Sequence, residues 1–189
     1  MKHLANEQGD VVLKKVQPVV TSLDGVDLPL YETAVILDVE TTGLDSKKDE
    51  VIQISLLPIW IDVANASIVA QKAPMTRLQQ PAIPISTEIQ QLTGITNDDV
   101  EGHAIDWRKV AAFLSRCKWV IAHNAQFDYR FVAAALEAAG LSMPDTNWCC
   151  SMSHTTYEGL EQQRTSLQFL AHWHGLWYEA HDAKNDVQA

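Results

Sequence analysis

Four carboxylates in three separate stretches decide what chemistry this chain can do: Asp38 and Glu40 in LDVETTGL, Asp128 in HNAQFD and Asp186 in HDAKND. Asp38 and Glu40 lie two apart in the apolar run TAVILDVE, which reads as a buried strand, so the period-2 pleat points both to one side. Two carboxylates facing a folded interior are strongly unfavourable unless cations or protons neutralise them. With two more acids arriving from distant segments, divalent metal is the expected partner, and an all-oxygen donor set suits Mg2+ or Mn2+. Two such ions roughly 3.5 to 4 Å apart can serve both the attacking and the leaving oxygen of a phosphodiester, so hydrolysis of that bond is the expected reaction.

The elements that must position these acids follow from the patterning. A strand from Ala34 carries the first pair and is broken by Thr41, Thr42 and Gly43 into a polar loop ending near Glu50. Val51–Ile61 reads as a second strand and Ser67–Lys72 as a third, giving an antiparallel meander. The stretch around Pro74, Pro81 and Pro84 is expected to be an unpaired connection. Ser86 caps a short helix through Leu92 that Gly94 closes, and a second helix is expected over Asp106–Arg116. A short buried strand, Lys118–Ala122, ends at His123 and Asn124. The alanine-rich segment Ala125–Ala139 is then a helix terminated by Gly140, with Asp128 in its first turn. Thr165 or Ser166 caps a helix to about Trp173, and Asp182 caps a last one carrying Asp186. Strands first, then helices alternating with short strands, define a mixed α/β domain.

At 189 residues and 47% hydrophobic content, one domain can bury a sufficient core; residues 1–30 read as an N-terminal extension and 31–189 as the domain. Cys117, Cys149 and Cys150 give an odd count without CxxC spacing, which points to a reducing compartment. No apolar run reaches the roughly 18 residues needed to span a bilayer, so a cytoplasmic protein without a membrane partner is expected. A formal net charge of −10 leaves no basic tract for gripping long duplexes. Lys47, Lys48, Arg130, Arg164 and Lys184 are the nearest cations to the motifs, and a short, locally held substrate end is favoured.

In order and spacing, DVETTGL, HNAQFD and HDAKND resemble the three exonuclease motifs of the DnaQ-like DEDD 3′-to-5′ exonucleases. The resemblance runs from about Thr33 to the end. It implies a ribonuclease H-like fold, in which a mixed central sheet, antiparallel over its first three strands and then parallel, is flanked by helices. His181, five residues before Asp186, places the chain in the histidine branch (DEDDh) and implies a general base. Imidazole, with an unperturbed pKa of about 6.5, suits proton transfer from water near neutral pH.

The same resemblance makes Asp38, Glu40, Asp128 and Asp186 the ligands of two divalent ions. It assigns Thr41, Thr42, Gly43 and Leu44 to the terminal nucleotide, with the turn's backbone near the 3′ hydroxyl and Leu44 against the base. His123 and Asn124 would orient the second motif or touch substrate. Phe127 would either stack on a base or simply pack in the core. The implied partner is the 3′ end of single-stranded DNA or RNA, with a polymerase or other repair partner as a further possibility. The alternative is a non-catalytic nucleic-acid-binding or scaffold module that keeps the fold, against which the intact acids and His181 argue.

Two features stand apart from the motifs. The final helix is cut short, with three residues after Asp186, and so short a helix is expected to hold its acid loosely. Cys149, Cys150 and His154 offer soft donors, but the ligand set is incomplete and packing is the expected role.

Overall fold

The computed structural model describes residues 13–17, 25–154 and 165–189; Arg164 and the remainder of the N-terminal extension lie outside them. In chain order the strands are β1 (Lys14–Lys15), β2 (Glu32–Thr41), β3 (Val51–Asp62), β4 (Ser67–Gln71), β5 (Met75–Leu78), β6 (Trp119–Ala122), β7 (Asn147–Cys150) and β8 (Leu176–Trp177). The helices are α1 (Thr87–Thr93), α2 (Asn97–Val100), α3 (Trp107–Leu114), α4 (Ala125–Ala138), α5 (Leu167–Trp173) and α6 (Ala183–Asp186).

The central sheet has the order β4-β3-β2-β6-β7. β2, β3 and β4 pair antiparallel in succession, whereas β6 joins β2 and β7 joins β6 in parallel. This is the mixed sheet expected from the sequence. Every residue of β3 from Val51 to Ile59 is buried, as for a strand covered on both faces. The two faces of β2 separate cleanly. Val35, Leu37 and Val39 join Val110 and Leu114 of α3 and Phe131, Val132 and Leu136 of α4 in the main core. Ala34, on the other face, packs with Leu57, Ile59 and Val187 just beyond α6. Leu114 and Leu136 are fully buried, and truncating either to alanine should cost about 2 to 5 kcal/mol.

Capping places the helices as expected. Ser86 Oγ accepts from the Ile89 N–H, and Gly94 closes α1 in the left-handed conformation at φ 72°. Asp106 caps α3, and Ser166, rather than Thr165, caps α5.

Three elements depart from expectation. Met75–Leu78 pairs with Gln53–Leu56 of β3. Pro74 and Pro81 flank that segment without entering it, so every N–H inside it is available for pairing. β7 forms across the soft donors Cys149 and Cys150; His154 Nδ1 accepts from the Cys150 N–H at 3.2 Å and seals the strand's end. α2 is a single turn set by a reciprocal capping box between Thr96 and Asp99. In addition, part of the N-terminal extension joins the domain, because β1 lies parallel to β8, the strand that leads to the third motif. Among the described residues, no helix is long and apolar enough to cross a membrane.

Candidate active site

β2 ends in a register shift between Glu40 and Thr41 that releases the chain into the 41–50 turn, with Asp38 opposite Ser55 and Glu40 opposite Gln53. One carboxylate oxygen each from Asp38, Glu40 and Asp186 lies within 4.8 Å of the others. The pleat thus brings the first pair together and α6 adds the third acid. Asp128 stands beside this trio, 2% exposed in the first turn of α4. Its carboxylate accepts from the backbone N–H groups of Val39 and of Asp128 itself.

Asn124, which caps α4 at φ 69°, and His181, at φ 66°, both adopt the left-handed region, a conformation that non-glycine residues hold at a cost. At His181 that turn directs the backbone N–H to Asp186 Oδ2 at 3.1 Å, while the side chain stays exposed. α6 is held from outside its own sequence. Gln53 Oε1 of β3 accepts from the Ala183 N–H at 2.8 Å, and Ala183 and Val187 are buried to 0% and 2%. Asp182 caps the helix through the Lys184 N–H and also accepts from the Asn185 amide.

The electrostatics are those of a largely buried acidic cluster. Burial, followed by the charges of Asp128, Asp186, Glu40 and Asp182, pushes the Asp38 carboxyl well above its usual range. Glu40 is pushed up to about 8 by burial and then by Asp186, Asp182 and Asp128. Asp128 also rises to about 8, chiefly through burial, although its two N–H donors pull the other way. Asp186 reaches only about 6: burial raises it, and the Tyr178 hydroxyl and the His181 N–H offset part of that.

Among the described residues, no lysine or arginine forms an ion pair with these four acids. Among the same described residues, Asp186 Oδ1 is buried with no hydrogen-bond partner. An orphaned carboxylate oxygen facing other carboxylates fits a divalent cation held by oxygen ligands.

The remaining sequence-derived site residues divide into outward and inward groups. Leu44 is 87% exposed on the turn. The Thr41 hydroxyl donates to the Gly43 carbonyl at 2.6 Å, and the Thr42 hydroxyl accepts from the Glu50 N–H at 2.9 Å, so both are engaged within the turn. His123 bridges two segments, with Nε2 at 2.6 Å from the Thr165 carbonyl and Nδ1 at 2.9 Å from Ser151 Oγ. A carbonyl only accepts, so Nε2 carries the proton, and burial lowers the pKa of the ring. Phe127 packs against Phe131, with centroids 4.8 Å apart, at the edge of the main core. Arg130 donates to the Gln126 carbonyl and side chain on the surface of α4.

Sequence reasoning missed three contributors: Gln53, Asp182 as a fifth nearby charge, and Tyr178. Asp182 alone had a visible signal, since it sits within the third motif.

Residues 35–189 match the RNase T family, whose description is exonuclease. A DNA polymerase III PolC-type protein of Streptococcus pyogenes serotype M18 is 36% identical over 123 residues, covering 64% of this chain and 8% of the relative's length. Exonuclease X in complex with 5′-overhanging duplex DNA superposes with a TM-score of 0.58 at 24% identity, covering 82% of this chain and 84% of that one. The nuclease domain of 3′hExo, a DEDDh family member bound to rAMP, gives 0.62 at 17% identity, covering 83% and 86%. The matched span takes in all three motifs and the sheet that carries them, and on that ground the chain belongs to the RNase T exonuclease family, with the fold of these exonuclease structures.

Proposed function

We propose that this chain removes nucleotides from the 3′ end of single-stranded DNA or RNA, releasing nucleoside 5′-monophosphates with two divalent cations, Mg2+ or Mn2+. The observation that carries the reading is the approach of Asp38, Glu40 and Asp186 to within 4.8 Å, with buried Asp128 beside them and His181 tied through its backbone to Asp186. When bound, the cations would offset charge on the phosphodiester oxygens and acidify the attacking water. Asp38, which lies among Glu40, Asp128 and Asp186, would hold the cations together with those three carboxylates. His181, exposed above Asp186, takes the proton of the attacking water on an imidazole nitrogen. The turn Thr41–Leu44 holds the terminal nucleotide through its backbone and the Leu44 side chain. Similarity to a segment of a DNA polymerase III chain supports a polymerase or other repair partner as the setting, in the cytoplasm.

The test uses 5′-labelled and 3′-labelled single strands of DNA and RNA with Mn2+ or with chelator. The expected outcome is a metal-dependent ladder from the 5′-labelled strand and immediate release of labelled mononucleotide from the 3′-labelled one. The reverse pattern, or cleavage that survives Asp38→Ala, refutes the reading.

A further inference from the structure

We propose that Asp49 is a positioning residue for the substrate end: its carboxylate shapes the turn that presents Leu44, and Gly43 is glycine because that carboxylate lies against it. The inference rests on the exonuclease reading above and concerns affinity for the 3′ end rather than the chemical step.

Polar contacts dominate the 41–50 turn, and Asp49 is at their centre. Its Oδ2 accepts from the Asp45 N–H at 2.9 Å and its Oδ1 from the Thr42 hydroxyl at 3.4 Å. Thr42 Oγ in turn accepts from the Glu50 N–H, and the Thr42 N–H donates to the Glu50 carbonyl, each at 2.9 Å. The N–H groups of Lys48 and Asp49 both reach the Asp45 carbonyl at 2.8 Å. Glu50 Oε1 accepts from the Ala82 N–H at 2.9 Å and fastens the end of the turn to the segment before α1. Asp49 therefore joins Thr42, at the start of the turn, to Asp45, beyond Leu44, and fixes the backbone on either side of that leucine.

Gly43 completes the argument. A Cβ at Gly43 would stand 2.5 Å from Asp49 Oδ2 and 2.6 Å from its Cγ, closer than nonbonded atoms approach. The φ of Gly43 is outside the left-handed region, so what glycine provides here is room for the carboxylate that the Asp45 N–H and Thr42 hydroxyl hold in place, and not backbone freedom. Both Asp49 oxygens face protein donors, whereas among the described residues Asp186 of the acidic cluster leaves Oδ1 buried without one. The product of this arrangement is a leucine held 87% exposed on an ordered turn next to the acidic cluster. The apolar face of a base is the surface such a side chain fits.

The experiment compares the parent chain with Asp49→Ala, Asp49→Asn, Gly43→Ala and the Gly43→Ala/Asp49→Ala pair on a single-stranded oligonucleotide with Mn2+, and measures the Mn2+-induced rise in Tm of each. Asp49→Ala should raise KM about tenfold with kcat held within about threefold, the pattern of lost substrate binding. Its Mn2+-induced shift should equal the parent's. Asp49→Asn, which still accepts from the Asp45 N–H, should recover most of the affinity and guards against misfolding of the alanine variant. Gly43→Ala should raise KM similarly but add nothing in the Asp49→Ala background, where its clash partner is gone. Unchanged KM in Asp49→Ala, a parallel fall in kcat and in the Mn2+ shift, or multiplying effects of the two substitutions would each overturn the proposal. An active parent with unaltered Asp49→Ala kinetics sinks this inference alone, whereas a parent that leaves 3′ ends intact sinks the exonuclease reading and this with it.

Discussion

Replacing Glu40 with glutamine should make the metal-free protein more stable at alkaline pH while removing most of its response to metal. Glu40 is 9% exposed and its carboxyl is pushed from its ordinary 4.5 up to about 8, chiefly by burial and then by Asp186, Asp182 and Asp128. A folded-state pKa above the unfolded one means that the proton stabilises the fold. That stabilisation is complete below about pH 4.5 and is lost as pH rises through about 8. The full displacement corresponds to about 5 kcal/mol at 1.36 kcal/mol per pH unit. Because Asp38 and Asp128 can take up protons in place of Glu40, about half of that should be recovered by the neutral amide, ~2 to 3 kcal/mol. For a domain of this size that is a rise in Tm of roughly 5 to 10 °C at pH 8.5 in chelator, shrinking towards zero near pH 4.5.

With Mn2+ present the order should invert. The parent gains stability in proportion to the logarithm of ion concentration over Kd, and the Glu40→Gln protein, with one carboxylate fewer in the trio, gains much less. Thermal melts at four or five pH values, with chelator and with Mn2+, read both arms. A Glu40→Gln protein less stable than the parent in chelator at pH 8.5, or one with an undiminished Mn2+ shift, would refute the view that this cluster is an acid site kept for cations.

Other residues give further expectations. His181→Ala should lower kcat by about 10²- to 10⁴-fold, the usual contribution of a general base, while the Mn2+-induced shift in Tm is kept; loss of that shift would make His181 structural. Gln53→Ala removes the acceptor of the buried Ala183 N–H, so it should cost about 1 to 3 kcal/mol in urea unfolding and weaken Mn2+ binding through Asp186; unaltered Mn2+ titration would show that α6 is placed by packing alone. At Asn124, with φ 69°, substitution by glycine should leave stability within a few tenths of a kcal/mol, and substitution by alanine should cost about 1 to 2 kcal/mol in the same unfolding assay.

The strands and helices that carry the motifs were legible because their patterns are redundant. β2 and β3 are long apolar runs, and α4 combines alanine content, an amphipathic face and a terminating Gly140 at φ 71°. β5 and β7 have four residues each, too few to express a period, and they exist because β3 and β6 present unpaired edges to them. The site divides in the same way. A buried carboxylate needs compensation, so Asp38, Glu40, Asp128 and Asp186 point to cations from the sequence alone. Asp49 and Gln53 carry no such signal, because an aspartate in a polar turn and a glutamine in a strand are ordinary. Their parts depend on what folding sets 2.5 to 3 Å away.

α6 shows why local rules misjudge such a site. A helix of four residues cannot stabilise itself, and from its length Asp186 should be the loosest of the acids. Its fixation comes instead from Gln53, 130 residues earlier, from the burial of Ala183 and Val187 against the sheet, and from the His181 N–H on Asp186 Oδ2. Each contact reaches β3, the sheet face or the adjoining turn. The geometry of the third motif is therefore coupled to β3, the strand that also pairs with Glu40. A perturbation of β3 at Gln53 should reach Glu40 and Asp186 together, and a change in helix propensity at the exposed Lys184 should reach neither.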